Sequence, residues 1–358
     1  MFRPAIAKMT GYTPGEQPKP GTPIIKLNTN ENPYPPSPQA IEVLRNLDNE
    51  WLRRYPDPYA REFCKAVSEA LNVPSDWVIF GNGSDDLLNM LVRACAEGGS
   101  RPCVYPTPTY VLYRTLAAMQ PAEVVEIPYS EDFKLPIDEL VAANGAITFI
   151  ASPNSPSGHC VPLEDLRQLA SQLSGVLVID EAYVDFAEYS ALDLVREFEN
   201  VIVLRTLSKG YSLAGLRLGF GIANPKLLSG LFKVKDSYNV DAIAQLVGTA
   251  AIRDQNYKNI CAQKVKVSRA KLTTDLRILG FTVRDSHGNF VLATPTISAE
   301  DIYLSLKERG ILVRYFNQPG LTDKLRITVG NDEQNQLLIA TLALFCQFPD
   351  IINKISEG

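Results

Sequence analysis

The clearest pattern in the chain is a series of short apolar runs separated by longer segments with helical periodicity. This alternation extends from residue 59 to about residue 250 and is typical of βαβ units. Several runs are continuous stretches of β-branched and leucine residues, which favours strands buried on both faces of a parallel sheet. We expect strands at about 77–80, 102–105, 123–127, 146–150, 176–180, 201–205 and 217–222. The pattern therefore predicts an α/β unit with a mostly parallel seven-stranded sheet.

The chain has a different pattern on either side of this unit. Residues 1–38 are rich in proline, so we expect an arm without regular helix or inner strand. Further elements are predicted as helices at 38–47 and 240–253, a loop at 51–58, a long helix after 253, strands at 281–284, 289–293, 311–314 and 325–329, and helices at 299–309 and 332–346. We interpret four cations of the long helix as a solvated face: Lys264, Lys266, Arg269 and Lys271. The expected organisation is an arm (1–38), a large α/β domain (39–255) and a smaller α+β domain (256–358).

Composition narrows the class of protein. The chain has 358 residues, 46% hydrophobic and 21% charged, which is ordinary for a soluble globular protein. A net charge of −5 argues against a nucleic-acid or acidic-membrane partner. Six cysteines without close pairs indicate thiols in a reducing compartment and no metal site. We see no signal peptide and no apolar run long enough to span a membrane, so we expect a cytoplasmic protein.

Candidate chemistry lies where two buried strands end. Asp180 ends the run 176–180, and Lys209 follows the run 201–205 within Thr-Leu-Ser-Lys-Gly. Ligands of open α/β sheets bind at such strand ends. A desolvated lysine amine can attack an aldehyde, and a carboxylate can keep a pyridine nitrogen protonated. We interpret the pair as the site of a Schiff base with pyridoxal phosphate (PLP).

The phosphate of such a cofactor needs hydroxyl, backbone N–H and guanidinium donors. Thr206, Ser208 and Arg217 lie close enough in sequence to supply some of them. Each residue taken alone could also have a purely structural role, in which Asp180 caps a helix and Lys209 and Arg217 are solvated. The set as a whole favours the cofactor.

A second anion site is predicted at Gly81-Asn-Gly-Ser-Asp-Asp86, between a strand and a helix. Free N–H groups and the helix dipole would face the ligand, with Ser84 expected at the N-cap. Asp85 and Asp86 would repel a phosphate if they pointed toward it, and they could simply complement the dipole. Tyr110, after the next strand, could stack on a flat ring or equally cover the sheet edge.

Two arginines of the smaller domain, Arg314 and Arg326, fall at strand ends. A buried arginine there would need an anion, although an ion pair with one of the 40 acidic residues is the alternative. His159 and His287 both lie in glycine turns, so neither supports a catalytic triad.

These motifs together resemble the fold-type I PLP-dependent aminotransferases, and most closely the histidinol-phosphate aminotransferases. The resemblance extends over nearly the whole chain. The motifs are Tyr12 with Pro14-Gly-Glu-Gln-Pro18, Asn30-Glu-Asn-Pro-Tyr-Pro35, Arg54-Tyr-Pro-Asp57, Gly81-Asn-Gly-Ser-Asp85, Pro108-Thr-Tyr110, Asp180-Glu-Ala-Tyr183, Thr206-Leu-Ser-Lys209, Ala214-Gly-Leu-Arg-Leu-Gly219 and Leu325-Arg-Ile-Thr-Val-Gly330.

The resemblance implies a role for each matching residue. Lys209 would form the Schiff base, Asp180 would bind the pyridine nitrogen, Tyr183 the phenolic oxygen, and Tyr110 would stack on the ring. The expected phosphate ligands are Ser84, Asp85 through its backbone, Ser208, Arg217, and Tyr55 of a neighbouring subunit, which implies a homodimer with a shared site. Tyr12, Asn30, Arg314 and Arg326 would bind substrate.

One motif departs from the family. The family has Asn-Asn-Pro-Thr-Gly where this chain has Asn154-Ser-Pro-Ser-Gly158. The asparagine that contacts the phenolic oxygen aligns with Ser155, so either Ser155 or Asn154 would take its place.

The expected activity is amino transfer from histidinol phosphate to 2-oxoglutarate, giving imidazole acetol phosphate and glutamate in histidine biosynthesis. Two guanidinium groups and a phenol suit a dianionic phosphate better than one carboxylate. The alternatives are an aromatic amino acid aminotransferase and a phospho-amino-acid decarboxylase on the same scaffold. A PLP-binding regulator is a third, but no basic helix-turn-helix region precedes residue 38.

Overall fold

The structure, a computed structural model, describes residues 1–9, 11, 15–19, 21–99 and 101–347. The helices in this part of the chain are α1 (Pro4–Lys8), α2 (Pro38–Arg45), α3 (Glu50–Arg53), α4 (Arg61–Leu71), α5 (Ser84–Cys95), α6 (Leu112–Met119), α7 (Ile137–Ala142), α8 (Leu163–Gln172), α9 (Leu194–Glu197), α10 (Pro225–Val234), α11 (Ala242–Arg253), α12 (Gln255–Ile278), α13 (Ala299–Glu308) and α14 (Asp332–Gln347). The strands are β1 (Ile25–Lys26), β2 (Val78–Asn82), β3 (Cys103–Thr107), β4 (Val124–Pro128), β5 (Ile147–Ala151), β6 (Val176–Asp180), β7 (Val201–Thr206), β8 (Leu218–Ala223), β9 (Thr282–Val283), β10 (Phe290–Thr294), β11 (Ile311–Leu312), β12 (Arg314–Tyr315) and β13 (Leu325–Thr328).

The predicted seven-stranded sheet is present, in the order β2-β8-β7-β6-β5-β3-β4. Strands β3 to β7 pair in parallel, and β8 is antiparallel to both of its neighbours. Each strand lies within two residues of its expected position. Apolar clusters cover both faces of the sheet, which explains why its inner strands are apolar without alternation. The β6 and β7 strands end side by side, so Asp180 and Lys209 face the same edge.

The C-terminal part contains an antiparallel four-stranded sheet in the order β12-β13-β10-β9. Its apolar side packs with helices α12, α13 and α14. The single strand expected at 311–314 is in fact two strands. The first of these, β11, pairs in parallel with β1, and the second, β12, pairs with β13. The domain boundaries near 38 and 255 stay a prediction.

Two expectations about irregular segments were wrong. The arm contains α1, which starts with Pro4 because a helix tolerates proline in its first turn. The arm's strand β1 is an edge strand, paired with β11 in a two-stranded sheet, so the expectation of no inner strand is not contradicted. Residues 25–27 contain no proline, so the N–H groups of Ile25 and Leu27 can donate to the carbonyls of Gly310 and Leu312. The loop expected at 51–58 begins inside the short helix α3.

The cationic face of α12 is only partly solvated, in contrast to the expectation. Lys266 Nζ donates to the Ala187 carbonyl at 2.6 Å. Arg269 Nη1 donates to the carbonyls of Phe186 and Gly288. These long side chains therefore bind the helix to the segment after β6 and to the turn between β9 and β10. Among the described helices, none is long and apolar enough to cross a membrane.

Candidate active site

Asp180 forms the floor of a cavity of about 550 Å³ at the carboxyl edge of the large sheet. The carboxylate is buried, and burial raises its pKa to about 6. Tyr113 donates a hydrogen bond to Oδ2 at 2.8 Å, and the backbone N–H of Ala182 donates to Oδ1 at 3.2 Å. Both donors favour the ionised carboxylate and so oppose the effect of burial. The carboxylate is thereby oriented to hold a proton on a ligand above it.

Lys209 follows β7 and reaches into the same cavity. Its Nζ donates to the Thr29 carbonyl at 3.0 Å and lies 5.7 Å from the ring centroid of Tyr183. Burial lowers the pKa of the amine. A larger neutral fraction of the amine makes Lys209 a better nucleophile and proton acceptor.

Tyr183 is held in place by the N-terminal arm. Its hydroxyl accepts a hydrogen bond from Asn30 Nδ2 at 2.9 Å. The Asn30 side chain in turn accepts one from Thr328 Oγ1 at 3.0 Å. Asn30 lines the cavity, and its amide joins the arm, β13 and Tyr183. Tyr12 lies outside the described residues.

The predicted phosphate cup is assembled at the N-terminus of α5. Ser84 is the first helical residue and not the N-cap as expected, since Gly83 takes that position with a positive φ of 78°. A side chain at Gly83 would collide with Arg217, and one at Gly219 would collide with the Ser84 amide. These two glycines keep the helix end open to a ligand.

The carboxylates of the first turn of α5 do not block this cup. Asp86 turns back to accept from the Asn82 backbone N–H at 2.9 Å. Asp85 pairs with Arg217 at 3.3 Å and accepts from the Tyr110 hydroxyl at 3.2 Å. Asp86 is thereby turned away from the cup, whereas the Asp85 side chain lines the cavity with its charge paired to Arg217.

Hydroxyl donors complete the cup. Thr206 Oγ1 and Ser208 Oγ lie 3.0 Å apart, and Arg217 Nη1 reaches Ser208 Oγ at 3.4 Å. Ser84, Thr206, Ser208 and Arg217 all line the cavity. Hydroxyls, a guanidinium and a helix N-terminus are the donors that a phosphate ester requires.

The structure distinguishes Asn154 from Ser155, the two residues of the loop after β5 that could contact the phenolic oxygen of the cofactor. Asn154 is fully buried, donates to the Pro108 carbonyl and Ser157 Oγ, and accepts from Thr109 Oγ1 at 2.6 Å. It is absent from the described residues that line the cavity, whereas Ser155 is among them. Ser155 Oγ accepts from Arg326 Nη1 at 2.9 Å. Ser155 is accordingly the residue of this loop that a ligand can reach.

Two arginines, from β12 and β13, line the same cavity. Arg314 and Arg326 both line the cavity, and Arg326 Nη2 also donates to the Asn28 carbonyl at 2.9 Å. Tyr55 is elsewhere. Its side chain is 81% exposed and stacks on Tyr238, with ring centroids 4.5 Å apart. Tyr55 therefore belongs to no site that this subunit forms from its described residues alone.

Two cavity residues, Thr29 and Phe316, and Tyr113 behind Asp180 have no signal in the sequence. Tyr113 and Phe316 are ordinary aromatic residues of helical or loop segments, and Thr29 acts through its carbonyl. Tyr110 precedes α6, so the spacing of the two tyrosines defines no shared helix face that could have indicated Tyr113.

The chain matches a known family over residues 22–342, described as aminotransferase class I and II. The chain belongs to this family. It is 67% identical over 342 residues to histidinol-phosphate aminotransferase 1 of Trichormus variabilis, covering 95% of this chain and 97% of that protein. The resemblance expected from the sequence motifs is confirmed.

Solved structures agree with the fold class. This aminotransferase superposes on histidinol-phosphate aminotransferase from Sinorhizobium meliloti in complex with pyridoxal-5'-phosphate, with a TM-score of 0.88, 26% identity and 97% coverage of both chains. It also superposes on L-threonine-O-3-phosphate decarboxylase from Porphyromonas gingivalis, with a TM-score of 0.79, 22% identity and 90% and 100% coverage. The second likeness shows the fold alone. The fold-type I α/β class is confirmed.

The cavity of this aminotransferase fits PLP. It combines a buried amine of lowered pKa, a carboxylate able to hold a pyridinium proton, and an open helix N-terminus surrounded by hydroxyls. Lys209, Asp180, Tyr183, Tyr110, Ser84, Ser208 and Arg217 are the residues that could hold the cofactor. Within the described residues, no group of three or more His, Cys, Asp or Glu side chains could hold a metal ion.

Proposed function

We propose that the protein is a PLP-dependent aminotransferase of histidine biosynthesis that transfers the amino group of histidinol phosphate to 2-oxoglutarate. The observation that carries the proposal is the presence of Arg314 and Arg326 in the same cavity as Lys209 and Asp180. The name and 67% identity of the Trichormus variabilis relative support the same substrate.

The charge of the cavity fits a doubly charged substrate. Five cationic side chains line it: Lys209, Arg114, Arg217, Arg314 and Arg326. Three carboxylates among the described lining residues oppose them: Glu31, Asp85 and Asp180. Asp85 pairs with Arg217 and Glu31 pairs with Lys26, and the described lining as a whole carries more cationic than acidic side chains. A phosphate dianion and the two carboxylates of 2-oxoglutarate could each bind to the guanidinium groups of Arg314 and Arg326.

Bound PLP supplies an electron-withdrawing ring that acidifies the substrate carbon bearing the amine. Asp180 holds the proton on the pyridine nitrogen, and Tyr183 orients the phenolic oxygen. Lys209 Nζ takes the proton from the substrate carbon, which is a general-base role that its lowered pKa favours. Arg314 and Arg326 hold the far end of the substrate and so fix the carbon in reach of Nζ.

The active unit is a homodimer in this proposal, and its location is the cytoplasm. Tyr55 is exposed and lies away from the cavity of its own subunit, so it is available to the phosphate cup of a second copy. The exposed apolar residues Trp51, Leu52 and Tyr59 lie near it in sequence and would be covered by the partner.

Half-reaction rates for a panel of amine donors test the substrate. We expect histidinol phosphate to react far faster than histidinol, because histidinol lacks the phosphate that Arg314 and Arg326 would bind. Replacing Arg314 or Arg326 by Gln is expected to cost roughly 2–5 kcal/mol of transition-state binding. Should phenylalanine exceed histidinol phosphate in kcat/KM, the protein is an aromatic amino acid aminotransferase. Release of carbon dioxide from a phospho-amino acid would instead identify a decarboxylase.

A further inference from the structure

Phe316 lies between the two arginines of the cavity. The guanidinium carbon of Arg314 is 5.4 Å from the centroid of the Phe316 ring, and that of Arg326 is 5.5 Å from the same centroid. Both distances are within the range of cation–π attraction. The ring itself lines the cavity. One aromatic side chain thus contacts both of the cations that would receive the anionic end of a ligand.

The strand register explains why an aromatic ring between the two arginines is useful. Arg314 of β12 and Arg326 of β13 are direct partners in an antiparallel ladder. Side chains of directly opposite residues project from the same face with their Cβ atoms about 5 Å apart. Two like charges in that position repel each other and destabilise the pair. A π-face shared by the two guanidinium groups offsets this repulsion before an anion arrives.

The two arginines are held by different numbers of contacts. Arg326 donates to Ser155 Oγ and the Asn28 carbonyl and also lies over Phe290. The Arg314 guanidinium makes no hydrogen bond or ion pair with another residue of the described part of the chain. The Phe316 ring is therefore a contact that Arg314 shares with the more firmly held Arg326.

We propose that Phe316 is a specificity-determining positioning residue, which spaces Arg314 and Arg326 so that together they bind one doubly charged group. The ligand class is a phosphate monoester dianion or a dicarboxylate. This inference rests on the proposed function for the identity of the amine donor, but the geometry of the two arginines is independent of it. Phe316 does not need to touch the reacting atoms, so its effect should appear in KM and leave kcat little changed.

Comparing Phe316→Leu with Phe316→Trp distinguishes the effect of the aromatic π-face from the effect of side-chain volume. On the holoenzyme, we would measure steady-state kinetics with histidinol phosphate and with histidinol, and competitive inhibition by inorganic phosphate. Loss of two cation–π contacts should raise KM for histidinol phosphate and the phosphate inhibition constant by about five- to thirtyfold in the Leu variant. The Trp variant, which keeps a π-face, should recover most of this loss, and KM for histidinol should change little in either.

Phe133→Leu is the matched control. The Phe133 ring contacts Arg284 at 5.2 Å and is not among the cavity residues, so the variant loses a cation–π contact elsewhere and should bind phosphate as the wild type does. Melting temperatures of all variants report any general destabilisation.

Three results would overturn the inference: unchanged phosphate inhibition in Phe316→Leu, an equal loss for histidinol and its phosphate, or no recovery in Phe316→Trp. A wild-type enzyme that does not prefer the phosphorylated donor contradicts the proposed function instead. In that case, the inhibition constants for phosphate still decide the role of Phe316.

Discussion

The Tyr113 hydroxyl donates a hydrogen bond of 2.8 Å to Oδ2 of Asp180, and both side chains are buried. The Tyr113 ring stacks on Phe149, with centroids 4.7 Å apart and planes 10° apart. The phenol is therefore fixed by packing before it binds the carboxylate. Because a hydrogen bond to the charged form stabilises that form, Tyr113 lowers the pKa of Asp180 against the larger effect of burial.

Tyr113→Phe should change the pH dependence of apoprotein stability. Burial raises the pKa of Asp180 to about 6, so the folded chain binds this proton more tightly than the unfolded chain. The contribution of Asp180 to the free energy of unfolding therefore falls as the pH rises from about 4 through 6. Without the phenol, the pKa of Asp180 rises further and the fall deepens. Urea unfolding should show a loss of roughly 1.5–3 kcal/mol at pH 8, and a smaller loss at pH 5.

Tyr105→Phe is the matched control for this change. Tyr105 is also buried, and its ring centroid lies 5.7 Å from that of Tyr113, but its hydroxyl donates to Glu126. We expect the control to lose stability without the difference between pH 5 and pH 8 that Tyr113→Phe shows. Equal losses at the two pH values in Tyr113→Phe would contradict the role of the phenol.

Purified protein should carry PLP on Lys209. The amine is buried, its pKa is lowered, and it follows Asp180 by 29 positions at adjacent strand ends. Borohydride reduction followed by peptide mass mapping should place the pyridoxyl group on this lysine. Lys209→Ala serves as the control and should lose the adduct while it still binds the cofactor reversibly. An adduct on another lysine would contradict the assignment.

The buried ion pair between Lys258 and Asp185, next to the Lys209 segment, should contribute strongly to stability. Lys258 Nζ pairs with Asp185 Oδ1 at 2.9 Å, and the two side chains are only 14% and 10% exposed. The Asp185 carboxylate lies against Gly210, where a side chain on the glycine would collide with it. Lys258→Met leaves this carboxylate buried without its partner, so we expect a loss of about 3–5 kcal/mol in the free energy of unfolding.

Lys226→Met provides the comparison for the buried pair. Lys226 pairs with Glu199 at 2.8 Å, but these side chains are 76% and 64% exposed. Solvent screens such a pair, so its loss should change the free energy of unfolding by about 0–1 kcal/mol. Similar values for the two variants in urea denaturation would show that Lys258 is not the partner on which Asp185 depends.

Mixing two inactive variants tests the shared site. If Tyr55 completes the phosphate cup of the partner subunit, a dimer of one Lys209→Ala subunit and one Tyr55→Ala subunit has one sound site. An equimolar mixture after subunit exchange should then regain about a quarter of wild-type activity, since half of the dimers are mixed. Exchange is followed with labelled subunits. A mixture that exchanges but stays inactive would place Tyr55 outside the active site.

Much of the fold follows from local sequence pattern. The apolar runs predicted all seven strands of the large sheet, because inner strands such as β5 and β6 are buried on both faces and are therefore apolar along most of their length, although the edge strand β4 is only partly buried. Polar residues at the ends of β6 and β7 predicted Asp180 and Lys209 as neighbours, since parallel strands end at a common edge. These inferences need only the pattern of the segment itself. The resemblance then supplied the roles of residues such as Tyr183 and Ser84, which stay predictions.

Only the tertiary structure decided which polar groups meet across distant segments. Tyr113 binds Asp180 across 67 positions, and Ser155, not Asn154, meets Arg326 across 171. The division of 311–314 into two strands depends on β1, far away in the arm. The placement of Phe316 between two arginines depends on the register of β12 and β13. Each of these contacts depends on how separate elements pack, and a local pattern of apolar and polar residues contains no information about the partner of a polar atom.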